Sequence, residues 1–95
     1  MQFQGAAIRV RGIEVGIVAV KEWVLEDHFE AQRYVDLFTP VFGGNPVILM
    51  AVSPEGKPRY GSLRRHRQIA RFLQGLDPAK IPWGKFVLTK EEQPH

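Results

Sequence analysis

The chain has 95 residues, 44% of them apolar and 24% charged, which suits one domain with one hydrophobic core and excludes a wholly disordered polymer. It contains no cysteine, which excludes disulfides, thiolate nucleophiles, iron–sulfur clusters and cysteine zinc sites and favours the cytoplasm. The formal net charge is +3; the apolar runs Ile17 to Val20 and Val47 to Val52 are too short to span a bilayer, and no positive region suggests a signal peptide, so a soluble chain without membrane contact is predicted.

The first element in chain order is a β-hairpin. With Arg11-Gly12 at the turn, Val10 faces Ile13, Arg9 faces Glu14 and Ile8 faces Val15. Ala6, Ile8, Val10, Ile13, Val15 and Ile17 then share one face, because side chains alternate along each strand. The Arg9 and Glu14 pair falls on the other face, where opposite charges attract. Arginine is not the preferred residue where φ is positive, so a longer loop with Gly12 at a bulge fits the pattern equally.

After Val20 the pattern becomes helical. Asp27 is a candidate N-cap with Glu30 as its capping-box partner, and His28, Ala31, Val35 and Phe38 recur at helical spacing. Pro40 and Gly43-Gly44 end the segment. Pro46 to Val52 is nearly continuous apolar sequence, the mark of a strand covered on both faces. Ser53-Pro54-Glu55-Gly56 is a turn, and Lys57 to Tyr60 returns as an edge strand, since Pro58 cannot donate to a ladder. A second helix opens at Ser62 and runs to Gln74-Gly75. Its inner stripe is Leu63, His66, Ile69, Ala70, Leu73 and Leu76, with Phe72 beside it, while Arg64, Arg67 and Arg71 share the outer face. Asp77-Pro78 turns the chain, Lys85 to Thr89 forms a last strand, and residues 90–95 read as a flexible tail after a domain spanning 1–89. The expectation is an α+β fold of order β-β-α-β-β-α-β, with an antiparallel sheet of about five strands and two helices on one face.

Charge is unevenly laid out. Glu22, Glu26, Asp27, Glu30 and Asp36 outnumber Lys21 and Arg33 around the first helix. Lys57, Arg59, Arg64, Arg65, Arg67 and Arg71 stand without an acid between Gly56 and Leu76. Arg64 and Arg65 fall in the first helical turn, where the macrodipole already places positive charge. Ser62, Arg64 and Arg65, together with the free helix-end N–H groups, therefore form a candidate anion site. The competing reading has these arginines pairing with the acidic helix, within the chain or across a dimer. A third assigns Arg64, Arg67 and Arg71 to nucleic-acid phosphates, against which stand the modest net charge and the repelling acidic helix.

No phosphate loop, dinucleotide fingerprint, zinc-protease or serine-hydrolase motif is present, and no catalytic residue, metal or cofactor is predicted. His28 lies near Glu26, Asp27 and Glu30 at spacing too loose for a metal site, and His66 falls on an apolar stripe as a structural histidine.

Gly44 to Ala51, Gly56 to Gly61, Ile69 to Leu73 and Ile81-Pro82-Trp83 resemble a small uncharacterised bacterial family, a resemblance that implies a bacterial origin and no particular activity. Pro46 to Leu73 is similar to the glutathione-binding half of thioredoxin-like proteins. In those, a proline opens a strand, a hairpin follows, and a serine starting the next helix holds a carboxylate. The chain lacks their Cys motif, and a hairpin replaces their strand–helix–strand opening. The expected function is a non-enzymatic binding or assembly domain, self-associating as a homodimer through its complementary charges and the edge around Pro58, with a small anionic ligand at Ser62, Arg64 and Arg65. Nucleic-acid binding is the alternative.

Overall fold

The computed structural model describes residues 2–61 and 66–87. Strands β1 (Gln2–Val10) and β2 (Ile13–Ala19) form the hairpin in the register that alternation predicts: Val10 opposite Ile13, Arg9 opposite Glu14, Ile8 opposite Val15. The guanidinium of Arg9 meets the Glu14 carboxylate at 3.1 Å. The turn has two residues, with φ at +50° for Arg11 and +82° for Gly12, so both adopt the left-handed conformation that a tight hairpin requires. For Arg11 that conformation costs roughly 1–2 kcal/mol, because its Cβ crowds the following carbonyl.

Asp27 caps helix α2 (His28–Phe38): its carboxylate accepts the N–H groups of Phe29 at 3.0 Å and Glu30 at 3.2 Å. A short helix α1 (Glu22–Glu26), not foreseen from the sequence, precedes it and buries Val24. Beyond α2 a 3₁₀ turn (Thr39–Phe42) leads to Gly43, left-handed at φ +68°, whose N–H reaches the Pro40 carbonyl at 3.1 Å. The ring of Phe42 rests on Gly16 so closely that a Cβ there would lie 2.4 Å from it.

The sheet order is β4-β3-β2-β1-β5, with β3 (Val47–Val52), β4 (Pro58–Gly61) and β5 (Gly84–Val87). The fold is α+β, but the sheet is mixed rather than antiparallel throughout, because β2 and β3 run parallel. A parallel neighbour cannot be reached by a tight turn, so the chain crosses over through α1 and α2 along one face. The helices also do not share a face. Val24, Val35 and Phe38 of α1 and α2 pack with Phe3, Val18, Val47 and Leu49. Leu73 of helix α3 (Arg67–Gln74) packs on the opposite face with Ala6, Val10, Val15, Ile17, Ile48 and Met50. The cause is legible in β3, whose residues Val47 to Ala51 are all buried: a central apolar strand needs cover on both sides.

β4 is an edge strand, as Pro58 implies, and its outward positions offer no free N–H. Ser53 N–H bonds the Lys57 carbonyl at 2.9 Å, so Arg59 and Gly61, in phase with Lys57, point their backbone groups at β3. The outward positions are Pro58, which has no N–H, and Tyr60, whose N–H donates to Gln74 Oε1 at 3.3 Å. Strand addition there would find no free donor. α3 ends at Gln74 with Gly75 in the right-handed region, and β5 pairs antiparallel with β1 at the far edge.

Candidate functional site

α3 lies across the sheet from α1 and α2, and this placement determines which charges meet. The acidic side of α1 is met by Arg59 from β4, whose guanidinium approaches Glu22 at 3.5 Å and Glu26 at 3.7 Å. Arg67 and Arg71 are exposed on α3, and no carboxylate among the described residues pairs with either. Pairing of these two with the acidic helix of the same copy is thereby excluded by geometry. Ser62, Arg64 and Arg65 lie outside the described residues, so of the arginine face only Arg67 and Arg71 are placed.

Beside α3 the hairpin tip completes an open groove of about 480 Å³. Its apolar lining is Val10, Ile13, Ile69 and Phe72, and its polar lining is Arg11, Gln68 and Arg71. Val10 and Ile69 belong to the core layer beneath α3, whereas Ile13 and Phe72 are each 47% exposed and offer apolar surface to a ligand. The Arg11 guanidinium sits 5.8 Å from the centroid of the Phe72 ring, a cation–π contact that ties the hairpin tip to the helix. A strained arginine held over an aromatic ring, with a second arginine on the same groove, is an arrangement able to take a ligand carrying both negative charge and apolar surface.

Among the described residues the groove's lining supplies hydrogen-bond donors and apolar walls but no nucleophile or general base. Arg67 is exposed one turn from Arg71 but does not line the groove. Sequence reasoning missed Arg11, Gln68 and Phe72 as site residues. The signal for Arg11 was its position: an arginine where φ must be positive is a local rule broken, and such breaks concentrate at functional sites.

Comparison with known proteins gives no match, whether with protein-family models, curated proteins or solved structures.

Elsewhere, His66 is partly buried at the start of α3. The Tyr60 side chain packs against the α3-side core, and its buried hydroxyl finds no hydrogen-bond partner among the described residues. Burial pushes its pKa above the ordinary 10.0, because a phenolate would lose hydration there. Among the described residues no three His, Asp or Glu side chains are placed to hold a metal, and no helix is long and apolar enough to cross a membrane.

Proposed function

We propose that the protein is a non-enzymatic binding domain whose α3 side receives an acidic ligand with an apolar group. The observation that carries this reading is the separation of charge across the sheet. The acidic helices occupy one face and engage Arg59, while Arg67, Arg71 and Arg11 stand on the other without a carboxylate partner among the described residues. Within the groove Arg11 and Arg71 take the negative charge, and Ile13 and Phe72 take the apolar group. Ser62, Arg64 and Arg65 precede α3 in the chain and extend the basic segment, so the anion site expected of them belongs to the same proposal. A self-associating domain remains part of it, through this groove rather than the edge of β4, where the Tyr60 N–H is already bonded to Gln74.

The test is fluorescence anisotropy with a labelled, glutamate-rich peptide containing one phenylalanine, titrated with the full chain at low and moderate salt. Binding should occur, weaken with salt, and fall about tenfold or more in Arg11→Gln/Arg71→Gln. A single-stranded oligonucleotide serves as the second arm. Tighter binding of the oligonucleotide, with a steep salt dependence that requires Arg67 as well, would replace this reading with nucleic-acid recognition. No binding of either probe would overturn both.

A further inference from the structure

The groove's partner can be sought on the chain itself. Phe29, in the first turn of α2, is 84% exposed, more than Trp23 at 50% or any other large apolar side chain among the described residues. An aromatic ring so fully in water is unfavourable for an isolated copy and is a usual anchor of an interface. Around it are acids: Asp27 and Glu26 are exposed, and Glu26 shares the single guanidinium of Arg59 with Glu22, so that cluster keeps excess negative charge. This corner therefore has the two properties the groove selects, an apolar knob and flanking carboxylates.

The corner and the groove lie on opposite sides of the sheet, so they cannot meet within one copy. We infer that the Phe29 corner of one copy docks in the α3 groove of a second copy, placing the Phe29 ring against Ile13 and Phe72 and the Asp27 and Glu26 carboxylates near Arg71 and Arg11. This deepens the function proposed above and rests on it, naming a second copy of the chain as the partner. Because the two patches lie on opposite sides of the sheet, one pair of copies does not seat both contacts reciprocally and the contact is head-to-tail: each docked copy presents a fresh groove and a fresh corner, and growth need not stop at two. In this reading the homodimer expected from the sequence gives way to head-to-tail association.

Complementation between two full-length variants provides the test. Phe29→Ser removes the corner and leaves the groove; Arg71→Glu spoils the groove and leaves the corner. In sedimentation velocity the wild type should grow continuously with concentration, and each variant alone should associate about tenfold more weakly or not at all. An equimolar mixture of the two should form a 1:1 pair and go no further, because that pair retains only one spoiled groove and one spoiled corner. Both side chains are exposed, so melting temperatures should stay near that of the wild type; if Arg71→Glu fails to fold, Arg11→Gln takes its place. A wild type that remains monomeric at high micromolar concentration, or a mixture that does not pair, overturns the inference. If the acidic peptide still binds in that case, the binding function stands and only its partner is wrong; if the peptide fails as well, both fall.

Discussion

Arg11 offers the sharpest test of the balance between strain and function. Its left-handed backbone at φ +50° costs roughly 1–2 kcal/mol, of which asparagine, better tolerated there, should recover about 1 kcal/mol. The substitution also removes the contact with Phe72 at 5.8 Å, worth about 0.5 kcal/mol at an exposed position. Arg11→Asn should therefore be more stable than the wild type by about 0.5 kcal/mol, a rise in melting temperature of roughly 2–4 °C for a domain of this size. Arg11→Ala loses the same contact without relieving the backbone, so it should be destabilised by about 0.5 kcal/mol. The two variants move in opposite directions, which urea and thermal unfolding can resolve together. In a Phe72→Ala background there is no ring to lose, and the Asn gain should approach about 1 kcal/mol. Equal destabilisation by Asn and Ala would instead mean that the turn carries no strain worth relieving. A confirmed gain in stability accompanied by weaker binding of the acidic peptide would show a residue retained for its side chain at the expense of the backbone.

Three further outcomes follow from particular contacts. Gly16→Ala would drive a Cβ to 2.4 Å from the Phe42 ring and should cost about 1–3 kcal/mol in chemical denaturation, partly recovered by adding Phe42→Leu; Gly61→Ala meets only the flexible tip of Leu25 and should cost less than about 1 kcal/mol. Because Tyr60 has a folded pKa above its unfolded value, its proton is held more tightly in the native state; its contribution is complete below the ordinary 10.0 and is lost as pH rises through the folded pKa. Tyr60→Phe should therefore flatten the alkaline loss of stability seen by thermal unfolding and, having no unpartnered hydroxyl, should be at least as stable near neutrality. Asp27→Ala should cost about 1 kcal/mol by removing the α2 cap, whereas Asp27→Asn should restore most of it; equal losses in the two would mean that charge rather than the cap bond matters.

The candidate site was only partly legible in the sequence. The basic run that supplies Arg71 was visible as composition, and the inner stripe of its helix as periodicity, because both are local properties of one segment. Arg11, Ile13 and Phe72 were not visible as one groove, since their proximity comes from α3 packing over the end of the hairpin.

A similar division runs through the fold. Alternation and charge in residues 6–17 determined the first hairpin down to its register; the Asp27 cap, the Gly43 stop, the turn ending at Gly56 and the edge position of Pro58 were set by single residues with special backbone or capping chemistry. Those are short-range effects, and each acts before any distant part of the chain is in place. What only the tertiary structure decided was the parallel pairing of β2 with β3 and, with it, the assignment of α1 and α2 to one face and α3 to the other. Strand direction across a long crossover leaves no local signature, because it is chosen by which arrangement buries both faces of the Val47–Ala51 run. That choice also places the acidic helices on one face and Arg67 and Arg71 of α3 on the other, so charges that could have neutralised each other within one copy are held apart by the sheet.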